Sequence, residues 1–378
     1  MKNKPKILIF IDWFYPGYKG GGPIKSVSNI VNSLQNEFDF YIITSDRDLN
    51  DKHSYTNIPF NQWISNPNYT IAYLSRKERK RFISIALAEH NYSKIYFNSL
   101  YSKNYTLQPI LLIKKLKLSI PIIVAPRGML GKGALKIKSV KKKLFLTIVK
   151  VFSFFKNIIW HATDKKEQES ILSIFGNDST VITIPNISAP NIEKKEIKKN
   201  KNELKLIFFS RISSKKNLFY ALEIINQLKL DNLSLSIYGT LEDKLYWNKC
   251  KTYIESNKLN VQYLGELNPT SVVSTLSEYH FLFFPTLHEN YGHVIVEALT
   301  SGCGLILSKN TPWRKLNSVN IGWDIDLSNS NKFAKAIELC YKMSQNDYNQ
   351  IRNNCYHFII NEINKQNAKG LTKDMFLQ

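Results

Sequence analysis

The stretch FLFFPTLHENYGHVIVEALTSGCG, residues 281–304, joins a short apolar run to a segment of helical period through a loop that holds an acid and a glycine. Four consecutive β-favouring apolar residues closed by Pro285 predict a strand buried on both faces. Val294, Ile295, Ala298 and Leu299 recur at helical spacing and predict a helix. Strand, loop and helix in that order form the repeating unit of a parallel α/β sheet, which binds ligands at the loops beyond its strand ends. Glu289 falls in the loop and Glu297 about two turns into the expected helix, no more than about 12 Å away along a helical path. Gly292, between them, is where backbone approaches a ligand closely. By itself the stretch also fits a plainer reading, with Glu289 favouring a helix N-terminus and Glu297 solvated off the apolar arc.

The same alternation runs through the whole chain. Strand-like runs stand at 6–11, 40–44, 69–74, 94–99, 121–126, 158–163 and 179–186, and a second series at 205–211, 233–239, 261–265, 281–286 and 304–308. The polar stretch ISAPNIEKKEIKKNKNE (187–203) divides them, and helix-like segments close the chain from about residue 330. The expected fold class is α/β, with two Rossmann-like doubly wound domains facing across a cleft. Domains are expected at 1–190 and 204–360, with 191–203 as linker and a C-terminal helix, 361–378, returning to the first domain.

A length of 378 residues suits two cores, and a hydrophobic fraction of 43% with mean hydropathy of -0.25 suits a globular protein. The opening MKNKPKILIFIDWFYP runs straight into a strand and does not read as a signal peptide. Cys250, Cys303, Cys340 and Cys355 show no CxxC spacing and are expected to be free thiols of a cytoplasmic protein.

Two further segments follow strand ends. YPGYKGGGPIKS (15–26) places Gly20, Gly21 and Gly22 after the first strand, ahead of a helix that opens at Pro23; a flexible turn and an anion cradle are both open readings. FSRISSKKNL (209–218) places Arg211 and Lys216 beyond the first strand of the second half. A planar guanidinium and a mobile ammonium there would suit a diphosphate, though loop cations are commonly just solvated.

Together these segments resemble the retaining glycosyltransferases of the GT-B fold, family 4, over most of the chain. The carriers are Gly21 and Gly22, then Arg211, Lys216 and Asn217, then the Glu-x7-Glu element Glu289 and Glu297. IPNIS (184–188) resembles the Pro-Asn turn before the linker, and YLGEL (263–267) the loop that holds the nucleotide base. The resemblance implies a sugar transferred with retention from a nucleotide-sugar donor to a glycan or lipid-linked acceptor, as in bacterial surface polysaccharide assembly. It implies catalytic roles for Glu289, Arg211, Lys216 and Arg127. Donor binding would fall to Gly21, Gly22, Asn217, Gly239, Gly265, Glu266, Asn290, Tyr291, Gly292, His293 and Glu297. Arg211 and Lys216 would neutralise the diphosphate, Glu297 would hold the ribose, and Glu289 with the amides of 290–293 would position the sugar. Many relatives carry a histidine after the fifth strand of the first domain; here APRGML (125–130) offers Arg127, while His161 reads equally well as a core residue. No cofactor is implied, and no metal: DRD (46–48) and DID (324–326) lie outside the argued sites. A non-catalytic glycan- or nucleotide-binding protein of this fold, or a nucleotide-sugar epimerase, is the alternative.

The net charge of +22 is uneven: residues 1–190 hold 28 Lys and Arg against 12 Asp and Glu, and the remainder 24 against 18. Residues 132–156 hold eight lysines and no acid, with Leu144, Ile148, Val151, Phe155 and Ile159 as one helical stripe. With SRKERKRF (75–82), this predicts contact with an anionic membrane surface and a peripheral location on its inner face. Packing of the stripe on the sheet is the rival reading. No zinc-finger, RNP-like or helix-turn-helix signal accompanies the charge, so nucleic acid is not an expected partner.

Overall fold

Lys6–Phe10, KILIF, is the strand around which the first half is built: Ile7 and Ile9 enter the core on one face of the sheet, Leu8 and Phe10 the core on the other. A strand covered on both sides has no polar face, which is why such runs were legible as continuous apolar residues. The computed structural model describes residues 4–89, 91–131, 139–188 and 195–378. The chain divides into two compact units, Met1–Ala189 with Asn367–Gln378, and Pro190–Gln366.

The first unit holds β1 (Lys6–Phe10), β2 (Asp39–Ser45), β3 (Ile64–Ser65), β4 (Thr70–Leu74), β5 (Lys94–Phe97), β6 (Ile122–Val124), β7 (Ile159–Ala162) and β8 (Thr180–Thr183). Their order in the sheet is β3-β4-β2-β1-β5-β6-β7-β8, and every pairing is parallel except that of β3 with β4. The helix Gly22–Leu34 covers one face with Ile24, Val27, Ile30, Val31 and Leu34. Helix Ala368–Leu377 joins the same core, where the Phe376 ring meets Phe38, Phe40 and Tyr96 edge-on. The crossing back to this unit comes at Asn367 rather than 361, because Gln345–Gln366 is one helix whose Ile359 still lies in the second unit's core.

The second unit holds β9 (Leu204–Phe209), β10 (Leu233–Tyr238), β11 (Val261–Tyr263), β12 (Phe281–Phe284), β13 (Gly304–Ser308) and β14 (Gly322–Ile325). Order β11-β10-β9-β12-β13-β14, all parallel, puts the reversal of strand order between β9 and β12. Open parallel sheets bind ligands outside the strand ends at such a reversal.

Two expectations need correction. The stretch 191–203 is not a free linker where it is described: Lys199 is buried in the second unit, its ammonium bonded to the carbonyls of Asn200, Tyr341 and Met343. Arg352 donates to the carbonyl of Lys195, and Gln345 accepts from the Lys199 amide. Residues 191–194 lie outside the described residues. Nor is 144–159 one helical stripe. The helix spans Ser139–Val151; it turns Leu146 and Val149 inward, while Phe155 is buried beyond its end and Ile159 begins β7. Of the lysine-rich stretch 132–156, residues 132–138 lie outside the described residues.

Candidate active site

Loops beyond the strands of the second unit are stitched to one another by hydrogen bonds. After β9, the carbonyl of Lys215 accepts from the Leu287 amide (3.0 Å) and the Thr286 hydroxyl (3.2 Å) of the loop after β12. Asn217 stands in the left-handed region (φ 63) between a short 3-10 turn, Ser214–Lys216, and the helix Leu218–Leu228. Its side-chain amide donates to the Pro285 carbonyl at 3.0 Å. Ser308, ending β13, donates to the Thr286 carbonyl, and the Glu289 amide donates to the Asn310 carbonyl at 2.9 Å.

These ties bring Lys216 and Glu289 together at the reversal between β9 and β12. Nζ of Lys216 lies 2.5 Å from Oε2 of Glu289, with the side chains 12% and 17% exposed. The ammonium also stands over the Phe284 ring, 5.3 Å from its centre. Burial alone would raise the Glu289 carboxyl, but Lys216, then Lys215 and the Asn290 N–H, outweigh it and hold it below the usual carboxylate range. Gly292 makes the packing possible. Its φ is 81, and a Cβ there would lie 2.7 Å from Ile295 Cδ1 and 3.3 Å from Glu289 Cγ.

The helix begins at His293, so Glu297 stands little more than one turn inside it rather than two. Ile295, Val296, Ala298, Leu299, Thr300 and Ser301 are buried, which leaves His293, Val294 and Glu297 as the half-open face. Val296 replaces Val294 in the expected buried arc. Tyr291 is buried, its carbonyl accepting from Trp313 Nε1 at 2.7 Å.

Arg211 is held elsewhere: its Nη1 lies 3.0 Å from Oε1 of Glu242, beyond β10, with side chains 36% and 37% exposed. No ion pair links it to Glu289. Gly239, with φ 137, brings the β9 and β10 ends together; a Cβ there would lie 1.8 Å from the Ser210 carbonyl oxygen. The Gly239 amide donates to the Gly265 carbonyl at 2.8 Å, so Gly265 and Glu266 border the same edge. Glu242 and Lys215 were missed from the sequence. Glu242 gave no sign, because its adjacency to Arg211 depends on β10 lying beside β9.

Gly21, Gly22 and Arg127 belong to the first unit. Gly21, with φ 67, precedes the helix that opens at Gly22, and Asp48 accepts from the amides of Tyr18 (2.8 Å) and Lys19 (3.0 Å) to fix that loop. The DRD acids are thus tied to the fold, Asp46 to Arg47 and Ser54, as are Asp324, which accepts from Leu316 N, and Asp326, which accepts from Ser328.

Arg127 stands beyond β6 with φ 54, and its guanidinium donates to Asn98 Oδ1 (2.7 Å), Asn186 Oδ1 and the Tyr96 hydroxyl (2.6 Å). Tyr96 meets His161 Nδ1 at 2.8 Å, and His161 Nε2 meets the Ile184 carbonyl at 2.9 Å. A carbonyl only accepts, so Nε2 carries the proton, Nδ1 accepts, and the Tyr96 hydroxyl donates to it while accepting from Arg127. Burial and then the charge of Arg127 push His161 down to about 3, and burial pushes Tyr96 up to about 12. His161 is a neutral core residue.

Residues 191–358 match the family model described as glycosyl transferases group 1. Among solved structures, the chain is similar to Anabaena HepE in complex with UDP and glucose: 15% identity, 97% of this chain and 99% of that one covered, TM-score 0.67. It is similar to a UDP-forming α,α-trehalose-phosphate synthase from Burkholderia xenovorans in complex with glucose-6-phosphate, at 8% identity, 99% of both chains and TM-score 0.70. Sucrose-phosphate synthase from Thermosynechococcus elongatus matches at 14% identity, 99% and 100% coverage and TM-score 0.65. Among curated proteins, no sequence matches. Residues 191–358 of the second unit are thus a glycosyl transferases group 1 domain, and the likeness to these solved structures gives the chain the GT-B fold.

Proposed function

We propose that the protein is a retaining, metal-independent glycosyltransferase that moves a sugar from a nucleotide-sugar donor to a glycan or lipid-linked acceptor. The observation that carries this reading is the buried Lys216–Glu289 pair where the strand order reverses, on backbone cleared by Gly292. Lys216 and Arg211 neutralise the diphosphate, and Glu289 with the amides around Asn290–His293 orients the sugar. Glu297, on the half-open face of its helix, takes the ribose. The bond from the anomeric carbon to the phosphate oxygen breaks as the acceptor oxygen bonds on the same face. The acceptor's proton passes to the departing diphosphate, so the enzyme supplies charge stabilisation and positioning in place of a nucleophile. Lys216 and Arg211, both from the loop after β9 but on different carboxylates, do the neutralising that a metal would otherwise do.

A panel of nucleotide-sugars, with UDP-sugars first because HepE is solved with UDP, tests this by thermal shift and donor hydrolysis with and without chelator. At least one donor should raise the melting temperature and be hydrolysed equally in both conditions. No shift with any donor refutes the donor site, and loss of activity in chelator refutes metal independence.

The acceptor side is proposed to act at an anionic membrane surface. The helix Ser139–Val151 and the residue after it expose Val140 (79%), Leu144, Ile148, Val151 and Phe152 (74%), flanked by exposed Lys141, Lys143 and Lys150. Apolar side chains open to solvent beside lysines suit a helix lying in an anionic interface. Among the described residues no helix is long and apolar enough to cross a membrane. Flotation with phosphatidylglycerol vesicles should carry the protein upward, and phosphatidylcholine vesicles should not; Ile148→Ser with Phe152→Ser should abolish it. Equal behaviour on both lipids contradicts the proposal.

A further inference from the structure

The Arg211–Glu242 pair is built into the backbone rather than formed by two free side chains. Ile212 and Leu241 form a parallel bridge; the Ile212 amide donates to the Thr240 carbonyl (2.8 Å) and the Asp243 amide to the Ile212 carbonyl (3.1 Å). Asp243 then caps the helix Lys244–Ser256 by accepting from the Tyr246 amide at 3.0 Å, so the segment bearing Glu242 is fixed at both ends. With Gly239 letting β10 close onto Ser210, the two loops hold a carboxylate against Arg211. Only Nη1 of the guanidinium is bonded, to one carboxylate oxygen; its Nε and Nη2 have no protein partner among the described residues.

The consequence is a balance of charge. Lys216 is paired with Glu289 and Arg211 with Glu242, so each cation assigned to the diphosphate already carries a carboxylate. Glu289 has a task towards the sugar in the reading above; Glu242 has none there. We propose that Glu242 is the internal counter-ion of Arg211, competing with the donor's diphosphate and limiting how tightly the nucleoside diphosphate product is retained. This rests on the donor reading and adds to it a residue that sets release. The diphosphate takes the free edge of the guanidinium, and the Glu242 charge a few ångströms away repels it. Tight product binding slows turnover where release limits the rate, and a fixed carboxylate counters that.

Glu242→Gln keeps the size and the hydrogen bond and removes the charge. Calorimetric titration with UDP, and with GDP and ADP should UDP not bind, should give a Kd about two- to fivefold lower than the wild type, the scale of a partly exposed ion pair. Product inhibition by the same diphosphate should strengthen in proportion, and affinity should fall more steeply with salt. In an Arg211→Ala background the gain should vanish, since the charge acts through that guanidinium. Unchanged or weaker binding by Glu242→Gln, with the wild type binding and Arg211→Ala weakened, overturns the inference and leaves the donor site standing. Wild-type protein that binds none of the three diphosphates overturns both.

Discussion

Arg127 and Lys216 each stand beyond a strand end of a parallel sheet, one in each unit, and the two are held in opposite ways. Arg127 is gripped by neutral groups, Asn98, Asn186 and Tyr96, and no carboxylate among the described residues is bonded to it. Its charge is immobilised by neutral partners, and the buried Glu167 carboxylate accepts from the neighbouring Gly128 amide. Lys216 is matched by Glu289 and Arg211 by Glu242, so these two cations of the second unit stand in neutral pairs. A guanidinium fixed by neutral hydrogen-bond partners offers a standing attraction to an anionic or hydroxyl-rich group. Paired cations are released when a more highly charged partner arrives. The difference fits the proposed function, in which the second unit would bind and discharge a diphosphate each cycle while the first keeps one side chain in place.

Removing the charge of Glu289 should break the second arrangement most severely. Glu289→Gln should lower kcat by about 100-fold or more, the scale of losing one preorganised electrostatic group, while nucleoside diphosphate affinity changes by only a few-fold. Steady-state kinetics beside calorimetry separates the two; equal losses in both would mean Glu289 serves the nucleotide rather than the sugar.

Much of this was readable in the chain because parallel strands buried on both faces are unbroken apolar runs: GLILS, residues 304–308, matches β13 residue for residue. The elements that escaped are edge strands with little apolar content, GWDI in β14 and the two residues of β3. Lys199 escaped because a buried lysine in a polar stretch gives no signal; its burial depends on carbonyls from a distant helix end. Glu289 and Lys216 could be singled out by spacing and resemblance. Their contact, and that of Arg211 with Glu242, follows from strand order, which one sequence does not state.

Arg127→Ala should sharpen the comparison from the first unit. It leaves buried Asn98, Asn186 and Tyr96 without their donor, and such losses cost about 1–3 kcal/mol. The urea midpoint should fall while nucleoside diphosphate affinity is retained. An unchanged midpoint would mean the network does not hold the loop.

Smaller again is the response to pH. His161 is pushed down to about 3, and His280, which accepts from the Lys205 amide and is buried, to about 4. As pH falls below the ordinary histidine value, the unfolded chain takes up protons that the folded protein refuses, so stability is lost between about pH 6.5 and those folded values. The depressed Glu289 acts in the same direction at lower pH. At pH 5 each histidine would account for about 2 kcal/mol relative to neutral pH. Urea unfolding at the two pH values should show the drop; coincident curves would contradict the neutral buried imidazoles.

In the proposed function Lys216 holds the donor's diphosphate. Titrating UDP, GDP and ADP into wild-type protein and Lys216→Ala, with circular dichroism to confirm that both are folded, measures that directly. The wild type should show a measurable Kd for at least one diphosphate, and the variant a loss of about 100-fold, close to 2.7 kcal/mol. Equal affinity in the two proteins would contradict it.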